Sequence, residues 1–182
     1  AYLTKLKELL FYANISDCKM EEGSMRCEPN ISISKDDSFG TKVEVKNVSS
    51  IHNVGLAIDY EIKRQEEMLN NGETIKEETR RFDDKQGKTI LMRVKETGND
   101  YRYFIEPDIP YLKLTDEFIN DSLRSLPLLP DELRNKYSKV GLNLLQIEKL
   151  INNRSLNDYF LGLLEYKTNY VTAVNLLLSD IS

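Results

Sequence analysis

The feature that most constrains this chain is the alternation of polar and apolar residues between positions 24 and 34. A period of two residues is typical of an extended strand, with one face toward a core and the other presenting polar groups. The polar positions are Ser24, Arg26, Glu28, Asn30, Ser32 and Ser34. At about 3.3 Å per residue, residues 26–30 would span roughly 13 Å, close to the length of an extended triphosphate. An ordinary solvated sheet face would show the same alternation, so both interpretations stay open at this point.

A second run of alternation predicts the partner of this strand. Residues 41–47 place Val43 and Val45 on one side and the polar residues Lys42, Glu44 and Lys46 on the other. The polar loop at 35–40 separates the two runs, so we expect an antiparallel pair. Residues 75–82 are polar on both sides, which predicts either an edge strand or a strand that lines a site. Residues 88–95 alternate again.

The rest of the chain has helical periodicity. Residues 2–13 carry leucines at helical spacing, and a longer helix is expected to start after Asn47 and to end at 70–72. Its predicted apolar stripe comprises Val54, Ala57, Ile58, Ile62 and Leu69. Five short helices are predicted between 115 and 180. The expected class is therefore α+β: a largely antiparallel sheet in a domain at 1–128, followed by an all-α domain at 129–182.

Composition excludes several classes of protein. The 182 residues carry a net charge of −5, which argues against a free-standing polyanion binder. No apolar run approaches the ~18 residues that a membrane-spanning helix needs, so no membrane association is expected. The two cysteines, Cys18 and Cys27, form no disulfide framework and no C-x-x-C motif, which favours a reducing compartment.

Several motifs resemble one protein family. The run S-D-C-K-M-E-E-G-S-M-R-C-E-P-N-I-S at 16–32 resembles the GatB family, the B subunits of the tRNA-dependent amidotransferases. Further blocks follow in the family's order: G-T-K-V-E-V-K-N at 40–47, E-T-R-R-F-D at 78–83, M-R-V-K-E at 92–96, D-Y-R-Y-F-I-E-P-D-I-P at 100–110 and L-P-L-L-P-D-E-L at 126–133. In one position the family usually has Asp where this chain has Glu28, which keeps the carboxylate but lengthens its reach.

The resemblance implies a fold and a reaction. Family members build a catalytic cradle on an antiparallel sheet related to glutamine synthetase. With ATP and Mg²⁺ they phosphorylate the side-chain carboxyl of misacylated Glu-tRNA(Gln) or Asp-tRNA(Asn), and ammonia then displaces the phosphate. The implied partners are tRNA, an amidase-like glutaminase subunit that releases ammonia from glutamine, and a small linker subunit of a heterotrimer.

The resemblance also implies that this chain is a piece of a longer family member. It is expected to lack the amino-terminal part of the cradle and the carboxy-terminal tail domain, and to be inactive alone. The expected location is the bacterial cytoplasm, with an organelle left open. The alternative is a non-catalytic module that binds tRNA or acts as a scaffold in a translation complex, in which the polar sheet is only electrostatic.

Site residues carried over by position are likewise expectations. Glu22, Glu28 and Glu44 are the expected ligands of Mg²⁺, because carboxylate oxygens are ligands that this ion prefers. The expected contacts of the nucleotide are Arg26, Asn30, Lys46 and Arg102. The expected catalytic set, which is to hold phosphates and to line the acceptor side, comprises Glu22, Arg26, Glu28, Lys46, Glu78, Arg80, Arg93 and Lys95.

Overall fold

The computed structural model describes residues 1–95, 104–166 and 168–180. The helices within these ranges are α1 (Tyr2–Tyr12), α2 (Ile51–Asn70), α3 (Asp116–Ser125), α4 (Pro130–Lys139), α5 (Leu144–Asn152), α6 (Arg154–Leu163) and α7 (Tyr170–Asp180). The strands are β1 (Asn30–Ile31), β2 (Val43–Lys46), β3 (Glu78–Asp83) and β4 (Lys88–Val94). The five helices predicted after residue 115 are thus confirmed, with ends that differ by a few residues.

The four described strands form one sheet in the order β1-β2-β3-β4. β1 pairs with β2 and β3 with β4 in antiparallel fashion, whereas β2 and β3 are parallel. The mostly antiparallel sheet and the helices confirm the α+β class. The alternative that 75–82 forms an edge strand is wrong, because β3 lies between β2 and β4.

The first strand is much shorter than its alternation predicted. Only Asn30 and Ile31 are assigned to β1, although the N–H of Val45 also donates to the carbonyl of Pro29 at 2.9 Å. A turn at 20–23, where Gly23 has φ +79°, precedes the extended segment. The predicted facing is nevertheless confirmed, since Met25 and Ile31 are buried and the polar residues between them are not.

Helix α2 packs on one side of this sheet. The Oγ of Ser50 caps it by accepting from the N–H of Asn53 at 3.1 Å. The core beneath it comprises Ile31, Val45, Val48, Val54, Ala57 and Phe82. The predicted stripe is wrong at Ile62, which is 39% exposed, because the buried face continues from Ala57 to Glu61 and Gln65. Two polar residues therefore occupy positions that apolar ones were expected to hold.

The described chain divides into two compact units. The first comprises Ala1–Lys7 and Ser16–Lys113, and the second comprises Glu8–Ile15 and Leu114–Ser182. The second has its own core, in which Tyr137 and Phe160 pack edge to face. The O–H of Tyr12 donates to the carbonyl of Ile151 at 2.9 Å within that unit. The predicted domain boundary near 128 stays a prediction.

Two class-level features can be read from the described residues. None of their helices combines the length and the apolar character needed to cross a bilayer. Cys18 is buried and Cys27 half-buried, and both thiols are free.

Candidate active site

One face of the sheet, which we call the outer face, points away from α2. The strand register places one residue of each strand in a row across it, since Asn30 is opposite Glu44, Glu44 is beside Thr79, and Thr79 is opposite Arg93. The Oγ1 of Thr79 donates to Glu44 at 3.4 Å. Because paired residues in a sheet share a face, the register brings these polar side chains together.

Charged side chains form a continuous chain across this face. Arg26 Nη2 lies 2.6 Å from Glu28 Oε1, and Lys46 Nζ lies 3.2 Å from Glu28 Oε2. Lys46 Nζ is also 3.6 Å from Glu44 Oε1, and Lys95 Nζ is 2.8 Å from Glu44 Oε2. Charge alternates in sign along these five residues, which we call the charge ladder. The ladder joins segments that are far apart in sequence into one polar surface.

Open space adjoins one end of the ladder. A cavity of about 480 Å³ is lined by Glu22, Arg26 and Glu28 together with residues of the turn at 20–23 and of 47–49. A second, more open cavity of about 440 Å³ is lined by Arg26, Glu28 and Lys46. Glu22 itself is exposed and pairs with Lys19 at 2.9 Å. Two cations of the ladder, Arg26 and Lys46, therefore border space that a ligand of nucleotide size can enter.

The neighbouring lysines of the ladder lower the pKa of Glu44. A hydrogen bond from Lys95 lowers the pKa of Glu44, against partial burial, which acts in the opposite direction. The nearby ammonium of Lys46 adds to the lowering. Glu44 is consequently a carboxylate at neutral pH, the form that accepts hydrogen bonds or binds a cation.

Two of the three predicted metal ligands, Glu28 and Glu44, lie beside the same ammonium group. Since oxygens of Glu28 and Glu44 lie 3.2 and 3.6 Å from Lys46 Nζ, these two oxygens are no more than 6.8 Å apart, with a cation already between them. Mg²⁺ takes one or two carboxylates and completes its octahedron with water and phosphate oxygens. No group of three or more His, Cys, Asp or Glu side chains is arranged for a metal in the described ranges, so Glu22 does not join the pair there.

The structure separates Glu78 and Arg80 from the ladder. In the parallel register they lie beside Val43 and Val45, whose side chains are completely buried, so they belong to the inner face beneath α2. Arg80 Nη1 donates to Glu78 at 2.7 Å there. The expectation that both residues line the acceptor side with the ladder is corrected in this respect, because neighbours in a strand point to opposite faces and only Thr79 between them points outward.

The inner face contains an ion cluster that the sequence interpretation missed. Glu61 is fully buried and accepts from Arg64 Nη2 at 2.9 Å, from Gln65 at 3.1 Å and from the hydroxyl of Thr89. Arg80 Nε lies 3.2 Å from the same carboxylate. Burial is the largest influence on the pKa of Glu61 and raises it, but the hydrogen bonds from Arg64, Thr89 and Gln65 outweigh it, so the pKa is lowered.

A signal for this cluster was present in the sequence. Positions 54, 57, 61 and 65 follow each other at steps of three and four, so a strict helical period extends the stripe to Glu61 and Gln65 rather than to Ile62. A polar pair on the buried face of a helix indicates hydrogen-bonded partners in the neighbouring element. The cluster could have been predicted as such, but its partners on β3 and β4 could not.

An irregularity in β4 decides which of its residues reach the outer face. Thr79 pairs with Arg93, but the next residue of β3, Arg80, pairs with Leu91, so Met92 is an extra residue in a β-bulge. The bulge places Arg93 on the outer face while Thr89 lies on the inner face. Arg93 is exposed. Of the other predicted contacts, Asn30 is at the exposed end of the row, and Arg102 lies outside the described residues.

Comparisons with known proteins agree with these motifs. The family model described as "GatB/GatE catalytic domain" matches residues 1–120. The B subunit of aspartyl/glutamyl-tRNA(Asn/Gln) amidotransferase from Lactococcus lactis subsp. cremoris is 44% identical over the whole chain, and that from Staphylococcus haemolyticus is 45% identical. The corresponding protein of Streptococcus pneumoniae is 49% identical over 88% of the chain. The chain spans 34 to 39% of the length of these relatives. It belongs to the family of the GatB/GatE catalytic domain.

Proposed function

We propose that the outer face is part of the site at which the B subunit of an amidotransferase phosphorylates the side-chain carboxyl of glutamate or aspartate esterified to tRNA. The observation that carries the proposal is the charge ladder beside open cavities, in a chain of this family. Phosphoryl transfer needs positioned cations and carboxylates for a metal more than it needs covalent chemistry from the protein.

Four of the five members of the ladder have a proposed task in binding phosphate or metal. Arg26 offers the planar fork that suits two oxygens of one phosphate, whereas Lys46 acts as a point charge. Glu28 and Glu44 hold Mg²⁺, which when bound neutralises phosphate charge next to the transferred group. On binding, Arg26 and Lys46 would turn from the carboxylates to the phosphates, which would leave Glu28 and Glu44 to hold the metal. The ladder keeps these groups in place, each beside an opposite charge, before the ligands arrive.

The acceptor step belongs to the same proposal. A carboxylate oxygen of the aminoacyl side chain forms a bond to the γ-phosphorus of ATP, and the bond to ADP breaks. Ammonia then attacks the activated carbonyl carbon and phosphate leaves, which gives the amide. We propose that the ammonia comes from glutamine in an amidase-like partner subunit, joined by a small linker subunit. Arg93 and Lys95 lie on the face where the acceptor carboxylate would approach.

The test is transfer of radiolabelled γ-phosphate from ATP to the aminoacyl-tRNA in the complete complex. Glu28→Gln and Lys46→Met are expected to lower the rate by about a hundredfold to a thousandfold, the range measured when one preorganised electrostatic group is removed. Glu67→Gln and Lys63→Met are matched controls on the exposed side of α2 and are expected to leave the rate unchanged.

The same variants discriminate against a scaffold. If the outer face only attracted tRNA, Lys46→Met would weaken binding of tRNA in a salt-dependent way, and Glu28→Gln would strengthen it, with no loss in the rate of phosphoryl transfer at saturating tRNA. Unchanged transfer by both variants in a folded complex would contradict the proposed function.

A further inference from the structure

We propose that Thr89, Glu61 and Arg80, on the inner face, are positioning residues that fix the register of the β-bulge and thereby present Lys95 to Glu44 on the outer face. This inference rests on the proposed function, since it assigns to the buried cluster the alignment of the charge ladder. The residues do not touch the proposed substrates, and they act through the strands that carry the ladder.

At the bulge, the alternation of inward-facing and outward-facing residues along β4 shifts by one residue. Thr89 and Lys95 are six residues apart, so in a regular strand they would lie on the same face. The extra residue at Met92 shifts this pattern, so Thr89 faces α2 while Lys95 reaches Glu44 at 2.8 Å. If the bulge were lost or moved past Thr89, one of these two contacts would be broken. The contacts at both ends therefore require the bulge between them.

Thr89, the residue of this pair on the inner face, is held by several hydrogen bonds. The hydroxyl of Thr89 donates to Glu61 and accepts from Arg80 Nε at 2.8 Å, and the carbonyl of Thr89 accepts from Arg80 Nη2 at 3.2 Å. Arg80 is the β3 residue whose pairing changes at the bulge. The cluster thus binds β4 to β3 on the inner side at the point where the register shifts.

Helix α2 holds the cluster in place. Glu61 is a fully buried carboxylate, and Gln65, one turn later, donates to the carbonyl of Ile31 and accepts from the N–H of Ile33, both at 3.2 Å. The helix is therefore tied to the segment after β1 as well as to β3 and β4. A slip of β4 by one residue would leave a buried carboxylate without the hydroxyl that it accepts from, which is strongly disfavoured.

Lys95 depends on this register through its backbone as well. Its N–H donates to the carbonyl of Glu77 at 2.8 Å, which continues the pairing of β3 and β4 beyond the bulge. Its side chain then crosses to Glu44 on β2. A displacement of about 1 Å at a catalytic group is enough to lower a rate by a hundredfold. Loosening the buried anchor is therefore expected to act on the reaction through Lys95.

The test is a double-mutant cycle between Thr89→Val and Lys95→Met in the complete amidotransferase complex, with the rate of phosphoryl transfer and the melting temperature measured together. Thr89→Val removes the hydroxyl at nearly constant volume, Thr89→Ser restores it, and Thr41→Val is a matched control at an exposed threonine. We expect Thr89→Val and Lys95→Met each to lower the rate constant by about tenfold to a hundredfold, and the double variant to be no slower than Lys95→Met. Thr89→Ser is expected to retain the rate of the wild type.

The outcomes separate this inference from the proposed function. Effects of the two substitutions that multiply, or a Thr89→Val variant with the normal rate, would overturn the positioning role while Lys95→Met still supports the site. A normal rate for Lys95→Met would also overturn the positioning role, whereas the proposed function is overturned by normal rates for Glu28→Gln and Lys46→Met. If Thr89→Val does not fold, Glu61→Gln, which keeps the shape and removes the charge, takes its place in the cycle with the same expected coupling. A melting temperature that falls with no coupling in the rate would identify a merely structural role.

Discussion

The two faces of one sheet carry similar charges and use them differently. The outer face has Arg26, Glu28, Lys46, Glu44 and Lys95, and the inner face has Glu61, Arg64, Glu78 and Arg80. The inner set is balanced, with two acids and two bases, and is covered by α2. The outer set has one more base than acids and adjoins open cavities. Burial, rather than residue type, distinguishes a structural cluster from a candidate binding surface.

The two sets of charges differ in whether a ligand can replace one partner of an ion pair. Among the described residues, no buried side-chain nitrogen or oxygen is left without a hydrogen-bond partner, so the inner cluster is closed. Opening it would expose charges to an apolar core, at a high cost in free energy. The pairs of Arg26 and Lys46 with Glu28 on the outer face are partly solvated and are each worth less than about 1 kcal/mol, so a phosphate or a metal ion can replace one partner. The outer face is suited to ligands for this reason.

Removing the buried carboxylate should have the largest effect. Glu61→Leu leaves the two arginines of the inner cluster without their shared partner, and we expect a loss of about 3–5 kcal/mol in the free energy of unfolding. Urea denaturation of the chain measures this loss. Glu67→Leu, on the exposed side of the same helix, is the control and should change stability by less than about 0.5 kcal/mol. Equal losses of stability in the two variants would contradict the claim that the inner cluster is structural.

Acid should weaken the inner cluster next. The pKa of Glu61 is lowered from its ordinary value of 4.5, so its stabilising contribution is fully present above that value and is lost as the pH falls through the folded-state pKa. We therefore expect stability to decrease as the pH falls below 4.5, and to decrease less in Glu61→Gln. Glu44, whose pKa is also lowered but which lies on the outer face, should give a smaller difference as Glu44→Gln. Denaturation midpoints at several pH values measure both.

Neutralising the outer face should change stability little. Because Glu28 is partly solvated, Glu28→Gln is expected to shift the free energy of unfolding by less than about 1 kcal/mol, even though it lowers the rate of phosphoryl transfer. Paired measurements of unfolding and activity on the same protein test this. A stability loss as large as that of Glu61→Leu would mean that the ladder is structural.

Salt should produce the smallest effect. Lys46→Met is expected to cost a fraction of about 1 kcal/mol at low ionic strength, and less at ~1 M NaCl, because exposed charges are screened over about 3 Å there. The loss in Glu61→Leu should be nearly independent of salt, since the carboxylate of Glu61 is fully buried. Urea denaturation of both variants at the two salt concentrations measures how the salt dependence of stability differs between the two faces.

Much of the architecture followed from periodicity. Alternation at Val43 and Val45 predicted a strand with a buried side, and the pairing of that strand with residues near Ile31 is confirmed. The helices, the α+β class and the family were predicted as well. These features are local in sequence or depend on short motifs, so the residues themselves contain the information. The extent of the first strand was overestimated, because alternation persists through residues that make no ladder pairs.

The inner cluster and the bulge depend on tertiary partners. Glu78 and Arg80 have the residue types of a phosphate site, but their face is set by the parallel register with Val43 and Val45, which the sequence does not specify. Lys95 reaches the ladder only because Met92 is an extra residue. A strand with polar residues on both sides has no period that tells its faces apart, so the assignment of site residues there needed the structure.

The most direct test of the central claim is chemical acetylation of the outer lysines in the complete complex, with and without ATP and Mg²⁺. Mass spectrometry measures how far the nucleotide and the metal protect each lysine. If the ladder holds the nucleotide, Lys46 and Lys95 should lose reactivity when ATP and Mg²⁺ are added together, while the exposed Lys63 on α2 keeps its own. Unchanged reactivity of Lys46 at saturating nucleotide would contradict the account, because the phosphates would then lie elsewhere.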